Sequence, residues 1–402
     1  MAFEGQVSRF IATLVFFGLF ASCRPNTPSK IAATRVSGAS MAPTIWGESL
    51  EVFCPACTIH WRVNWQVAMR PQRAFPCWNC GHTIDHAPFT ALEYSKNRSS
   101  DQIMIDGDAY QHSSPQVDEI VAIGDSKAVR IKRIVAVTGD VVSSQDGVLH
   151  RNDQPIVSDA PWIAVHDDRH RDRDKSWWAF DKTTSAQVAE KTFDGFRMVM
   201  TPSDEDSPSK SPLPAAHLLY QHRSPYNGLR PERVGDDYPA NLNENRALHP
   251  VDSLGLRVTF DVDQATELRC WLWKSTDPRC ETHRLSPGTH ALQIRWQDAE
   301  AKKLELMQDE VGTVPPSLGK LQPICIEVLK GSLHIRHLQV ERPIQYTIDT
   351  RRSDTIKLPV LLQADQYFVV GDNVPVSIDS RYEGPIDRSE IMGRVSTHKV
   401  QR

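Results

Sequence analysis

Three short segments carry side chains able to do chemistry, in settings that do not suit a plain structural strand. In Val36-Ser-Gly-Ala-Ser40-Met-Ala-Pro-Thr44 a serine stands among small residues ahead of a Pro-Thr turn, so a substrate backbone can approach its hydroxyl closely. In Arg130-Ile-Lys132-Arg133-Ile-Val-Ala-Val-Thr-Gly139-Asp140 a lysine lies inside a strongly apolar strand. Burial disfavours the ammonium form and lowers the lysine pKa from its usual ~10.4. A neutral amine beside a serine is a workable general base, and no histidine is then needed. In Phe368-Val-Val-Gly371-Asp-Asn373-Val-Pro-Val-Ser377-Ile-Asp379-Ser380-Arg381, Ser377, Asp379 and Arg381 can orient that lysine and brace the site. Taken singly, each segment also has an ordinary reading: a structural serine, a solvent-facing lysine, a surface turn.

Four cysteines form a second constellation. Cys54-x-x-Cys57 and Cys77-x-x-Cys80 stand 19 residues apart, with Gly81 after the second pair. This spacing matches a four-cysteine zinc ribbon, in which short pairs and a longer gap together satisfy tetrahedral thiolate coordination. Two disulfides are the alternative, because the segment is expected to face an oxidising space. Cys270 and Cys280 flank a turn and form a candidate disulfide; Cys325 alternates with apolar neighbours and reads as core.

The elements that must position these groups are strands. From Gln102 to Val142, β-branched runs alternate or continue between Gly-Asp turns. Between about Leu254 and Gln339, runs such as Leu256/Val258/Phe260/Val262 put apolar side chains on one face at a period of two, the pattern of a β-sandwich. The last 40 residues return to the style of 102–142, so one domain is interrupted by another. Two polar stretches, 166–175 and 201–212, read as solvated loops.

The chain has 402 residues, 40% hydrophobic and 24% charged, which suits two to three ordinary globular domains. A net charge of -4 argues against holding nucleic acid by phosphate neutralisation. The negative mean hydropathy excludes a polytopic membrane protein. One apolar run, Phe10 to Ser22, is 13 residues long, against the ~20 that span a bilayer. It reads as a secretory signal, a short or tilted anchor, or a lipoprotein signal ending at Cys23, with a buried core helix as the alternative. The first three readings place the rest of the chain outside the cytoplasm.

In this order the three segments resemble the type I signal peptidases, membrane-bound Ser-Lys proteases that remove signal peptides from exported proteins. Ser40-Met-Ala-Pro-Thr44 is similar to the family's nucleophile box. Lys132-Arg133 with Gly139-Asp140 is similar to its lysine box, and Gly371-Asp-Asn373 with Ser377 and Asp379-Ser-Arg381 to its C-terminal box, trailed by Gly393-Arg394. Gln102-Ile-Met-Ile-Asp106 and Val117-Asp-Glu-Ile-Val121 are similar to two further strands, each with one characteristic residue replaced. The resemblance covers roughly 130 to 150 residues and is specific, because three boxes occur in order.

That resemblance implies Ser40 as nucleophile and Lys132 as general base. Ser377 would hydrogen-bond the amine, and Asp372, Asp379, Arg133 and Arg381 would form bracing ion pairs. The Ser40 N–H would belong to the oxyanion hole. Gly38 stands where some members carry a second serine, so the chain resembles the branch with glycine there. Substrate would add as a strand between residues near 34–39 and 129–131, with shallow pockets for Ala-x-Ala. Ile45 and Trp46 would either dip into the membrane surface or simply pack.

The expected architecture is mainly β: a signal-peptidase-type catalytic core interrupted by a small zinc ribbon and a jelly-roll-like β-sandwich. The boundaries are 1–23 for the anchor or signal, 31–158 for the first part of the core with the ribbon at 54–82, 160–343 for the inserted sandwich, and 345–402 for the second part. The sandwich loosely resembles concanavalin or laminin-G jelly rolls. Trp177, Trp178, Trp271 and Trp273 are its candidate stacking residues, with core packing as the alternative and no particular ligand indicated. The expected activity is that of a membrane-anchored serine endopeptidase with its catalytic domain on the extracytoplasmic side. Its partners would be signal peptides of exported preproteins and the membrane surface, not nucleic acid; catalysis would need no cofactor, and zinc would be structural. A self-cleaving Ser-Lys peptidase and a non-catalytic surface-binding protein on a peptidase scaffold are the alternatives.

Overall fold

The computed structural model describes residues 30–69, 74–84, 95–124, 129–168, 177–181, 189–192, 194–200, 216–241, 246–274, 278–296, 314–349 and 352–398. The apolar run 10–22 and Cys23 lie outside the described residues, as do the polar stretch 201–212 and most of 166–175. Among the described residues no helix is long and apolar enough to cross a membrane. The chain is mainly β.

Both ends of the chain build one seven-stranded antiparallel sheet. Its order is Lys30–Arg35, Gln102–Asp106, Ile391–His398, Ile120–Gly124, Val129–Ala136, Gln366–Val370 and Ile386–Asp387. The alternation read at Ile103 and Ile105 buries both, and they pack with Met41, Ile45, Ala122 and Val395. The Val129–Ala136 strand is more continuously apolar because it is covered more completely toward its end: Lys132 through Ala136 are buried, while Val129 is exposed. The difference follows from pairing. Ile120–Gly124 pairs with Arg133 back to Val129, whereas Gln366–Val370 begins to pair only at Arg133. One edge of residues 129–132 is thus left without a strand partner among the described residues.

A three-stranded sheet, His60–Asn64 with Ser49–Phe53 and Ser95–Arg98, carries the four cysteines beyond its end. Within the span 160–343, two long strands, Gly255–Leu272 and Ile324–Arg342, pair along their whole length. Outside Ile324–Arg342 lie Ala216–Tyr220, Phe196–Met200 and Ile163–Asp167, each against a different third of it. Outside Gly255–Leu272 lie Gly288–Arg295 and Arg279–Leu285. Register shifts between Val262 and Leu268 break the long pair into two halves, and the apolar faces of both halves feed one core. The sandwich-like body is therefore one nine-stranded sheet that branches at its two long strands, each of which pairs with different neighbours along its length.

Three readings that the sequence leaves open are decided here. Trp177, Trp178 and Trp271 are buried, and Trp273 packs half-buried beside Trp271, Leu219 and Cys325, so core packing and not ligand stacking describes them. Ile45 and Trp46 are buried as well: Ile45 under the seven-stranded sheet, Trp46 against Tyr238 and beneath Arg62, so neither reaches toward a membrane. Cys270 and Cys280 are separate thiols. They stand opposite Glu281 and Trp271 respectively, one register step apart, and therefore face opposite sides of the sheet. Cys325 is buried core.

Candidate active site

Ser40 lies on a tight loop between the Lys30–Arg35 and Ser49–Phe53 strands. The loop closes where Gly47 N–H donates to the Gly38 carbonyl at 3.1 Å, and Ala42 N–H to Ala39 O at 3.0 Å shapes the turn around the serine. Gly38 has φ +77°, a left-handed conformation that a serine at this position would adopt only under strain. Met41, next to the serine, is 2% exposed and anchors the loop in the sheet's apolar face.

Lys132 points into the same region from the Val129–Ala136 strand. It is buried, and its Nζ donates to Ser377 Oγ at 2.8 Å. Burial pushes the amine down to about 8; the Asp379 carboxylate opposes that shift, while Arg130 and Arg381 add to it. Asp379 is itself committed elsewhere. It accepts from Arg381 Nε at 2.8 Å and Nη2 at 2.9 Å and from the Gly371 N–H at 2.9 Å, which holds its carboxyl below the usual range despite complete burial.

Arg133, the next residue, sits differently. Its Nε and Nη2 donate to the two Asp372 oxygens at 2.9 and 2.7 Å, a forked pair that keeps the guanidinium firmly charged. Tyr346 Oη donates to the same carboxylate at 2.9 Å, and Thr44 Oγ1 donates to it too. Thr44 closes the serine segment, so Asp372 joins that segment to the lysine strand.

The Gly371-Asp372-Asn373 turn draws the parts together. Asn373 N–H donates to the Ser40 carbonyl at 2.9 Å, and Asn373 Nδ2 donates to the Ala39 carbonyl at 3.0 Å. A Cβ at Gly371 would stand 2.2 Å from Ser377 Oγ and 2.5 Å from the Ser40 carbonyl oxygen. The Ser40 backbone and the hydroxyl that receives the lysine proton donor thus converge on one bare Cα. The structure brings Ser40, Lys132, Ser377, Asp372, Arg133, Asp379 and Arg381 into one constellation. Thr44, Tyr346 and Asn241, whose side-chain amide donates to Asn373 Oδ1 at 2.7 Å, also serve it and were not singled out from the sequence. Thr44 at least stood inside the serine box; Tyr346 and Asn241 lie in segments with no motif.

The cysteines form a second centre. Cys54 Sγ lies 3.7 Å from Cys80 Sγ, Cys57 Sγ 3.7 Å from Cys77 Sγ, and all four ligand atoms lie within 4.8 Å of one another. A tetrahedron with metal–sulfur bonds of ~2.3 Å has edges of about 3.8 Å, whereas a disulfide would bring two sulfurs to about 2 Å. The two pairs sit on matching turns. Thr58 N–H donates to Cys54 O and Gly81 N–H to Cys77 O, while Cys54 and Cys77 N–H donate to Ile59 O and His82 O. Asn79 and His82 N–H donate to Cys77 and Cys80 Sγ at 3.4 and 3.5 Å, the outer contacts expected around ligating thiolates. The donor set fits a structural metal ion.

The signal peptidase, peptidase S26 family model matches residues 92–208 and 324–398. The matched segments contain Lys132, Arg133 and the whole Gly371–Arg381 turn; Ser40 and the four cysteines precede them, and residues 209–323 fall between them. No curated protein matches the chain.

Proposed function

The chain belongs to the signal peptidase S26 family, and from that premise we propose that it is a membrane-associated serine endopeptidase cleaving signal peptides after small residues. The observation that carries this reading is Lys132: an amine buried without a carboxylate of its own, lowered to about 8 and aimed by Ser377 beside the Ser40 loop.

In the proposed reaction the neutral Lys132 amine takes the Ser40 hydroxyl proton as Oγ attacks the scissile carbonyl carbon. The tetrahedral oxyanion accepts from the Ser40 N–H, which donates to no other group among the described residues. Collapse breaks the C–N bond, and the lysine ammonium gives its proton to the departing amine. Water, deprotonated by the same amine, then hydrolyses the ester and restores Ser40. Ser377 fixes the direction of the amine. The ion pairs Arg133–Asp372 and Arg381–Asp379 hold the frame and touch no substrate.

The edge of residues 129–132 that has no strand partner among the described residues supports binding of an extended peptide by strand addition, running toward Val36–Gly38. Val129, on that edge, and Ile378, beside Ser377, are exposed apolar side chains suited to an apolar signal sequence. Residues 10–22 would anchor the protein, with the catalytic domain on the extracytoplasmic side. The four cysteines would hold zinc as a structural ion.

The test is cleavage, in detergent, of a preprotein with an Ala-x-Ala site. Wild type should cut at that site and Ser40→Ala and Lys132→Ala should not. Absence of cutting by all three, or equal cutting by Lys132→Ala, would overturn the reading.

A further inference from the structure

Asn373 holds the Ser40 loop through two hydrogen bonds, one from its backbone and one from its side-chain amide. The side-chain bond depends on which way that amide faces. Its oxygen and nitrogen have nearly the same shape, so packing alone does not choose between them; hydrogen-bond partners do. The Ala39 carbonyl selects the nitrogen, and Asn241, which lies in the stretch between the two family-matched segments, holds the amide in that place.

The two amides form a reciprocal pair. Asn241 Nδ2 donates to Asn373 Oδ1 at 2.7 Å, and Asn373 Nδ2 donates to Asn241 Oδ1 at 2.8 Å while its other hydrogen goes to Ala39 O. Both residues are almost wholly buried, at 2% and 1% exposure. Turning the Asn373 amide over would set oxygen against oxygen at Ala39, and would also mispair both bonds to Asn241 unless that amide turned with it, a costly arrangement away from water.

Asn241 is itself fixed. Its N–H donates to the Tyr238 carbonyl at 2.9 Å, closing a short helical turn, and its carbonyl accepts from Arg246 Nη1 at 2.7 Å. Arg246 is held in turn by Asp237 through Nε and Nη2 at 2.7 and 2.8 Å. Ala240 packs with Ala39, Ala42 and Trp46, so residues 238–241 form the floor of the serine loop.

We infer that Asn241 is a positioning residue for Ser40: by holding the Asn373 side chain through two hydrogen bonds it steadies the Ala39–Ser40 backbone, and the interrupting stretch thereby completes the site. The inference rests on the proposed Ser-Lys mechanism. Loss of the pair frees the Asn373 side chain to move and lets the serine loop shift relative to Lys132, and a misplacement near 1 Å costs about 100-fold in rate.

The experiment is rapid-mixing kinetics of the full-length protein with a small chromogenic ester that acylates serine. Burst amplitude counts competent sites; burst rate reports how well each site is arranged. Asn241→Ala should keep the wild-type amplitude and lose about 10- to 100-fold in burst rate. Asn241→Asp keeps an acceptor for Asn373 Nδ2 but faces its Oδ1 with a carboxylate, and should lose rate similarly without leaving a cavity. The double variant Asn241→Ala/Asn373→Ala should be no slower than Asn373→Ala alone. A reduced amplitude at unchanged rate in both single variants would mean Asn241 only supports folding, and wild-type kinetics would mean it does nothing here; either overturns the inference while leaving the dyad intact. A wild-type burst absent, or untouched by Ser40→Ala and Lys132→Ala, would overturn the mechanism and this inference with it.

Discussion

Lys132 and Arg133 are neighbours on one strand, both cationic and both buried, yet only Arg133 has a carboxylate of its own. Arg133 meets Asp372 in a forked pair, while Lys132 donates to the neutral Ser377 hydroxyl. Alternation along the strand sends the two side chains to opposite faces, so one strand supplies a permanent cation for the frame and a titratable amine for chemistry.

The burial of Lys132 has a cost that varies with pH. Between about 8, the folded value, and the ~10.4 of an exposed lysine, the unfolded chain binds the proton and the folded chain does not. Stability therefore rises with pH through that window, and at pH 7 the full penalty is present. Lys132→Met should be more stable than wild type at pH 7 by up to roughly 3 kcal/mol, with the gap closing by pH 10. Urea denaturation at both pH values reads this directly; equal stability at pH 7 would contradict the assigned burial cost.

Gly371 admits no side chain, because a Cβ would collide with both Ser377 Oγ and the Ser40 carbonyl. Gly371→Ala should lower kcat by about 100-fold with little change in KM, since the two hydroxyl-bearing segments are forced apart while the peptide-binding edge is untouched. Steady-state kinetics on a cleaved peptide decides it, and a change confined to KM would count against the convergence.

Asp372 carries three donors, Arg133, Tyr346 and Thr44, with its side chain fully enclosed. Asp372→Ala leaves the Arg133 guanidinium buried, with the Asp118 carbonyl as an acceptor but no paired carboxylate, which should cost about 3–5 kcal/mol. Replacing the pair together, Arg133→Met with Asp372→Leu, should recover a good part of that loss. The melting temperatures of the three proteins check the ordering.

The cysteine cluster should bind one zinc ion per chain, measured by elemental analysis, and lose it in Cys57→Ser. Chelation should release four thiols to a thiol reagent and lower the melting temperature. A metal-free protein without titratable thiols at these positions would instead point to disulfides.

Much of this site could be read in the sequence because its chemistry sits in compact segments. Ser40-Met-Ala-Pro-Thr44, Lys132-Arg133 and Gly371-Asp-Asn373 each hold an unusual residue among neighbours that explain its setting, and the cysteine spacing carries its own geometry. What could not be read depends on contacts across the chain. The Asn241–Asn373 pair joins residues 132 positions apart, and a lone asparagine has no periodic signature. The strand Gly255–Leu272 reads as two runs because its register shifts interrupt the alternation, and a period of two reports which face is apolar without saying which strands pair. The tryptophans carry both readings in the sequence because an indole suits a core as well as a binding face, and the core reading is the one their burial bears out.

The central claim is that Lys132 works as a neutral base, and the dependence of Ser40 acylation rate on pH tests it most directly. Rate should climb tenfold per pH unit at low pH and level off above a midpoint near 8, in step with loss of the lysine proton. A flat profile from pH 6 to 9, with the protein still folded and Ser40 still acylated, would contradict the assignment of Lys132 as the base.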